Sequence, residues 1–183
     1  MVLLESLDLP LGMVAPNFAL MATDDGKYTL KSFEDNNVLV VVFMCNHCPY
    51  VQAIWNRLVD LQKRFVGNKV AFVGINPNFH PDYKEETMDK MKSYYKKHKM
   101  NFPYLLDETQ KVARSYNAQC TPDIYVFNKD RELCYHGRID DSWSDETQVK
   151  KEELSLAIEE VLRGKVPQEN PYPSIGCSIK WRN

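Results

Sequence analysis

A chain of 183 residues, 44% of them hydrophobic, is long enough to bury one full core and too apolar to be globally disordered. Its 23 basic and 25 acidic residues leave a formal charge of −2, so no basic field predicts a nucleic acid or an anionic membrane as partner. No apolar run reaches the ~18 residues of a membrane span, and the N-terminus lacks the basic residues of a secretory signal. We therefore expect one cytoplasmic domain over residues 1–183, with a core at about 12–163 and a C-terminal tail at 164–183.

The hydrophobic pattern predicts alternating strands and helices. Residues 38–44 are seven consecutive apolar residues, most of them β-branched, which is typical of a strand buried on both faces. The predicted elements, in chain order, are a β-hairpin within 12–35, a strand at 38–44, a helix from Pro49 to near Gly67, a strand at 69–75, a helix at 85–99, a short strand at 103–106, a short helix at 109–116, a hairpin of strands at 124–127 and 133–139, and a helix at 152–163. This order predicts an α/β fold in which helices flank a mixed central sheet with an N-terminal β-hairpin extension.

A cysteine pair, Cys45 and Cys48, lies between the strand at 38–44 and the helix that begins at Pro49. Open α/β sheets place their chemistry at the carboxyl ends of strands, and a helix N-terminus stabilises a thiolate through its unpaired amides and its dipole. Two cysteines at this spacing can form a disulfide across the first helical turn. We expect Cys45 to be the exposed nucleophile and Cys48 the resolving thiol, with Asn46 and His47 tuning the pKa and the redox potential.

Zinc binding is the competing interpretation of this pair. A structural zinc site needs four ligands, commonly from two close pairs, and the other cysteines and histidines form no second pair at such a spacing. The pattern therefore favours redox chemistry with no metal and no cofactor. Of the other three cysteines, Cys120 is a candidate auxiliary thiol and Cys134 a buried small apolar residue. Cys177 is expected to be a tail cysteine without a role, with a resolving or metal-binding thiol as the alternative.

Several short motifs carry a resemblance to a known family. They are Ala15-Pro16-Asn17-Phe18 with Asp25-Gly26-Lys27 and Leu30, the strand that ends at Phe43, the Cys45–Cys48 pair, Phe102-Pro103 with Leu106-Asp107, and Thr121-Pro122 before the strand at 124–127. On these residues the chain resembles the thioredoxin-like superfamily over about residues 12–163. More closely, it resembles the redoxin branch that includes the alkyl hydroperoxide reductase/thiol-specific antioxidant (AhpC/TSA) proteins.

The resemblance implies a thioredoxin-like fold and a thiol–disulfide oxidoreductase. Cys45 and Cys48 match the redox pair, and Thr121-Pro122 match the cis-proline loop, where the Thr121 backbone would pair with an extended substrate segment and a cis bond is expected. Disulfide-containing proteins or small thiols would be the substrates. A redox partner would donate or accept the electrons.

Two departures from the family pattern leave alternatives open. Peroxiredoxins carry threonine at the position of Cys45 and their peroxidatic cysteine at the position of Cys48, but residues 119–123 lack their arginine, for which Arg114 or Arg138 could substitute. The strand before the pair also lacks the buried acid of thioredoxins, which leaves His47 as the candidate proton acceptor. The alternatives are a thiol peroxidase that uses Cys48, and a metal- or partner-binding module on a redox fold.

Overall fold

The structure, a computed structural model, describes residues 3–167 and 171–182. Its strands are β1 (Leu3–Glu5), β2 (Ala19–Ala22), β3 (Lys27–Thr29), β4 (Val38–Phe43), β5 (Val70–Asn76), β6 (Tyr104–Leu106), β7 (Cys120–Thr121), β8 (Asp123–Phe127), β9 (Leu133–His136) and β10 (Ile175–Ser178). Its α-helices are α1 (Pro49–Arg64), α2 (Met88–Lys97), α3 (Lys111–Ser115) and α4 (Glu153–Leu162). Within the described ranges, no helix is long and apolar enough to cross a lipid bilayer.

Seven strands form the main sheet in the order β3-β2-β6-β5-β4-β8-β9. The pairs β4–β5 and β5–β6 are parallel, and the other neighbours are antiparallel. The N-terminal hairpin β2–β3 forms one edge of this sheet. The predicted mixed sheet with an N-terminal hairpin extension is therefore confirmed.

Strand β4 shows why the sequence carries an uninterrupted apolar run. All six of its residues are fully buried. Val38, Val40 and Val42 point into a core with residues of α1 and α4, while Leu39, Val41 and Phe43 point into a second core with residues of α3. Because successive side chains of a strand face opposite sides of a sheet, only a continuous apolar run can fill both cores.

A second, three-stranded sheet, β1-β10-β7, is absent from the sequence-based prediction. Strand β10 lies in its middle and pairs antiparallel with β1 on one side and with β7 on the other. The N-terminal lead and the C-terminal tail thus meet beside the loop that precedes β8. Trp181, in the tail, packs against the second core and under the guanidinium of Arg114.

Candidate active site

The segment between β4 and α1 brings two thiols to the carboxyl end of an inner strand. Cys48 is the N-cap of α1, and Pro49 occupies the first helical position, where an amide N–H would have no helical partner. Thr121 contacts both cysteines: its Oγ1 lies 3.2 Å from the Cys45 Sγ, and its carbonyl oxygen lies 3.1 Å from the Cys48 Sγ. The structure therefore brings three of the predicted site residues together.

The expectation of an exposed Cys45 is wrong. Cys45 and Cys48 both have 0% of their surface exposed, as does Thr121. Two segments that the sequence analysis did not place at the site contact this loop. A 3-10 turn, Lys84–Glu86, bonds to the backbone between the cysteines, and β10 lies against Cys48 through Cys177. A substrate can reach either sulfur only if one of these segments moves.

The pKa of Cys48 is lowered well below the ordinary value of a cysteine. The main cause is a hydrogen bond from the Cys45 thiol, joined by bonds from the Cys177 thiol and from the amides of Val51 and Cys177. Burial and the Thr121 carbonyl oxygen, which accepts a bond only from the protonated thiol, act in the opposite direction. The four donors outweigh these two effects, so the lowered pKa favours a negative charge on Cys48.

The pKa of Cys45 is shifted the other way. Burial raises it, and the bond to Cys48, the negative charge of Glu86 and the charge of Cys48 raise it further, while the Thr121 hydroxyl lowers it. Burial likewise raises the pKa of Cys177 to about 12, reinforced by its bond to Cys48. The three thiols therefore form a cluster with one thiolate, at Cys48, and the electrostatics favour Cys48 rather than the predicted Cys45 as the nucleophile.

Glu86 supplies the buried acid that the strand before the cysteines lacks. Its carboxylate is fully buried and accepts bonds from the amides of Asn46 at 3.0 Å and His47 at 2.9 Å, and from Asn76 Nδ2 at 2.6 Å. His47 Nδ1 contacts the same carboxylate. The turn that carries Glu86 comes from the loop after β5, and it fixes the backbone of both residues between the cysteines.

The two intervening residues support the loop in different ways. Asn46 is buried, and its Oδ1 accepts a bond from the hydroxyl of Tyr104 at 3.0 Å. The His47 ring stacks on Tyr83 with 5.2 Å between the centroids, while its Nδ1 contacts Glu86. The structure therefore directs this imidazole nitrogen to Glu86, and any tuning of the cysteines by His47 passes through that carboxylate.

Three residues at this site could offer ligands to a metal ion. One ligand atom each from Cys45, His47 and Glu86 lies within 4.8 Å of the others. A sulfur, a nitrogen and an oxygen suit zinc, whose structural sites take a fourth protein ligand. Glu86 belongs to no cysteine or histidine pair, so ligand spacing in the sequence does not point to it. Its carboxylate already accepts four bonds, so a metal would have to replace at least part of that network.

The peptide bond between Thr121 and Pro122 is cis, as the resemblance implies. Thr121 pairs with Cys177 of β10, and side chains directly opposite one another in an antiparallel pair lie on the same face. Cys120, one residue earlier, belongs to the other face; its Sγ contacts the Pro122 carbonyl at 3.6 Å, and burial raises its pKa. The structure thus brings Cys177, rather than the predicted auxiliary thiol Cys120, into the cluster.

Comparison with known proteins agrees with this geometry. The sequence model of the AhpC/TSA family matches residues 11–136. The chain belongs to the AhpC/TSA family. An uncharacterized conserved protein from Geobacillus kaustophilus is 40% identical, with a TM-score of 0.94, over 100% of this chain and 97% of that one. A hypothetical protein from Sinorhizobium meliloti is 37% identical, with a TM-score of 0.92, over 97% of this chain and 98% of that one.

A third solved structure identifies the fold of this AhpC/TSA member. The thioredoxin domain of a thiol-disulfide oxidoreductase from Bacteroides vulgatus is 15% identical and superposes with a TM-score of 0.66, over 85% of this chain and 99% of that one. This likeness confirms the thioredoxin-like fold. No curated protein sequence matches the chain.

Sequence reasoning missed two residues of the site, Glu86 and Cys177. Glu86 falls at the start of the predicted helix at 85–99, where two adjacent glutamates resemble an exposed first turn, and no periodicity marks it as buried; the structure places it in a separate 3-10 turn before α2. Cys177 did carry a signal, because it follows Gly176 in a segment that also contains Ile175, Ile179 and Trp181. A glycine beside an apolar strand pattern indicates a close backbone approach, and that pattern could have predicted β10.

Proposed function

We propose that this protein is a thiol–disulfide oxidoreductase that cycles Cys45 and Cys48 between dithiol and disulfide on protein or small disulfide substrates in the cytoplasm. The observation that carries the proposal is the placement of the pair: Cys48 caps the N-terminus of α1, Thr121 contacts both sulfurs, and a hydrogen bond from the Cys45 thiol lowers the pKa of Cys48. A thiolate in contact with a thiol is the arrangement that disulfide exchange needs. Membership of the AhpC/TSA family supports it.

The reaction follows from this charge distribution. The Cys48 thiolate attacks one sulfur of a substrate disulfide, forms a mixed disulfide and releases the first substrate thiolate. Cys45 then loses its proton and attacks the Cys48 sulfur, which releases the second substrate thiolate and leaves the Cys45–Cys48 disulfide. A disulfide is reduced to two thiols, and the cysteine pair is oxidised. A redox partner that donates electrons restores the dithiol.

Glu86 is the proton acceptor for Cys45 in this scheme. Its carboxylate lies within 4.8 Å of the Cys45 Sγ and is joined to His47, whose side chain is 19% exposed. This separation of at most 4.8 Å gives the Cys45 proton a short path to the Glu86 carboxylate.

The first test is the redox midpoint of the wild-type protein. The protein is equilibrated across a ladder of glutathione redox mixtures, quenched in acid and alkylated, and its disulfides are assigned by mass spectrometry. We expect one reversible two-electron couple in peptides that contain Cys45 and Cys48. Oxidation of Cys48 alone to sulfenic acid by peroxide would instead support the thiol peroxidase, and co-purified zinc with no couple would support a metal-binding module.

The assignment of the nucleophile needs a trapping experiment. In Cys45→Ser/Cys177→Ser, both thiols that contact Cys48 are removed, so a mixed disulfide with glutathione should accumulate at Cys48. Cys48→Ser should lose turnover of a small disulfide by about a thousandfold or more, as expected when a catalytic nucleophile is removed. Cys134→Ser is the matched control, because Cys134 lies in β9 and not in the thiol cluster. Wild-type turnover in Cys48→Ser would contradict the proposal.

The peroxidase alternative is favoured by one observation and opposed by another. The lowered pKa of Cys48, in an AhpC/TSA family member, suits attack on a peroxide oxygen. The two arginines that could assist such a reaction are engaged elsewhere: Arg114 lies over the ring of Trp181, and Arg138 donates to Glu153 at 2.5 Å. Disulfide exchange therefore remains the proposed function.

A further inference from the structure

Strand β10 occupies the edge of β7 that an extended substrate would take in a thioredoxin-like fold. Cys177 lies opposite Thr121, and Ser178 lies opposite Cys120. The approach is so close that a Cβ built on Gly176 would lie 2.0 Å from the Thr121 carbonyl oxygen. Only glycine fits at this point, so the tail is built to lie against the residue that touches both active-site thiols.

The tail is held in this position from both of its ends. Before β10, the Ser174 hydroxyl donates to the carbonyl of Gly137 at 2.7 Å. After β10, Ile179 is buried, and Gln110 bonds both to the Lys180 carbonyl at 2.7 Å and to the Arg182 amide at 2.8 Å. These contacts make β10 a resident strand of the fold rather than a loosely attached end.

Cys177 is aimed at Cys48 rather than at solvent. Its side chain is 3% exposed, and it shares a face with Thr121, whose carbonyl oxygen lies 3.1 Å from the Cys48 Sγ. The thiol and the amide of Cys177 both donate hydrogen bonds to the Cys48 sulfur. Cys48 thus has two thiol neighbours, one on its own loop and one on the tail.

We propose that Cys177 is a third redox cysteine, which forms an internal disulfide with Cys48 from the place of a substrate strand. The proposal rests on the proposed function, because it uses the same nucleophile. With glutathione disulfide as oxidant, the Cys48 thiolate forms a mixed disulfide and releases one glutathione thiolate. Cys177 then attacks the Cys48 sulfur, its proton passes to the departing second glutathione, and the Cys48–Cys177 disulfide remains. Two protein thiols are oxidised, and one disulfide is reduced to two thiols.

The test uses Cys45→Ser, in which the other neighbour of Cys48 is absent. The full-length variant is oxidised with glutathione disulfide, quenched in acid and alkylated, and its peptides are mapped without reduction. We expect the peptide of Cys48 to be joined to the peptide of Cys177, and the signal to be lost in Cys45→Ser/Cys177→Ser, where glutathione stays on Cys48. Cys45→Ser/Cys134→Ser is the matched control and should keep the internal disulfide.

The outcomes separate this proposal from the proposed function. If Cys45→Ser keeps glutathione on Cys48 while the wild type forms its Cys45–Cys48 disulfide, the role of Cys177 is contradicted and the oxidoreductase stands. If the wild type forms no disulfide and Cys48 takes up no glutathione in any variant, the proposed function itself fails. Circular dichroism of each variant shows whether a lost disulfide reflects a lost fold.

Discussion

The two sheets of this protein differ in how they bring strands together and in what they do for the cysteines. The seven-stranded sheet pairs β4 with β5 and β8, and it delivers Cys45 and Cys48 to the end of a strand buried on both faces. The three-stranded sheet joins the two ends of the chain, since Leu3 and Thr121 both lie opposite Cys177. The first sheet positions the redox pair, and the second covers it and contributes another thiol.

A substitution at Gly176 tests whether the small sheet covers the redox pair. In Gly176→Ala, the new Cβ would lie 2.0 Å from the Thr121 carbonyl oxygen, so β10 must move away from β7. We expect the free energy of unfolding to fall by about 1–3 kcal/mol, as for other overpacked sites, measured by urea denaturation. The Cys48 thiol should also become more accessible to a small alkylating agent.

A substitution in the same strand provides the control for this prediction. Ser178→Ala removes a half-buried hydroxyl but adds no atom toward β7. Its stability should stay within about 0.5 kcal/mol of the wild type. If Gly176→Ala is as stable as Ser178→Ala and Cys48 stays protected, the close packing of β10 on Thr121 is not what covers the site.

The same contrast explains how much of the fold could be predicted. Strands and helices of the main sheet carry their own patterns, such as the apolar run of β4 and the apolar positions of α1, so sequence periodicity finds them. Strands β1, β7 and β10 have two to four residues each and gain their stability from partners far away in the chain. No local pattern of that length specifies a pairing, and the small sheet was therefore missed.

A substitution at Cys177 measures how much the small sheet contributes to the lowered pKa of Cys48. Cys177→Ala removes a thiol that donates to Cys48, so the pKa of Cys48 should rise toward its ordinary value by about one unit. Because the thiolate is the reactive form, the rate of Cys48 alkylation falls as the pH is lowered through the pKa. In Cys177→Ala this fall should begin at a higher pH than in the wild type. The measurement is the pH dependence of that rate, followed by mass spectrometry.

Cys177→Ser separates the hydrogen bond from the packing. Its hydroxyl retains a donor at the same position, so the pKa of Cys48 should lie between those of the wild type and the alanine variant. Cys134→Ala, a change in β9, should leave the pH profile of Cys48 unaltered. An identical profile for Cys177→Ala and the wild type would show that the tail covers Cys48 without tuning it.

The part of the site formed by residues close together in the sequence could be predicted, and the part formed by residues from distant segments could not. The spacing of Cys45 and Cys48 at a strand-to-helix junction indicated the redox pair, and Thr121-Pro122 was found through the family resemblance. The roles of the two cysteines could not be predicted, because the pKa of Cys45 depends on Glu86 and the pKa of Cys48 depends on Cys177. Both residues come from distant segments of the chain. Burial and hydrogen bonding set these values, and neither can be read from spacing.

The smallest expected effect concerns Glu86, in the 3-10 turn that follows β5 of the main sheet. The charge of Glu86 raises the pKa of Cys45. In a Cys48→Ser background, where the stronger coupling to Cys48 is gone, Glu86→Gln should therefore lower the pKa of Cys45, and by less than Cys177→Ala raises the pKa of Cys48. The pH dependence of Cys45 alkylation measures this shift. Glu85→Gln in the same background is the matched control, because the Glu85 side chain is 48% exposed and pairs with Lys90.

A shift of equal size in the Glu85 and Glu86 variants would mean that the cysteine senses the general charge of the turn. A shift confined to Glu86→Gln would identify one buried carboxylate as the group that keeps Cys45 protonated until it attacks. That distinction matters for the reaction, because a carboxylate that holds the proton on Cys45 in the resting state is also placed to accept it when Cys45 becomes the resolving thiolate. The segments that follow β4 and β5 of the main sheet would then supply two groups: the Cys45 thiol, which donates a hydrogen bond to Cys48, and the Glu86 carboxylate, which accepts the proton of Cys45.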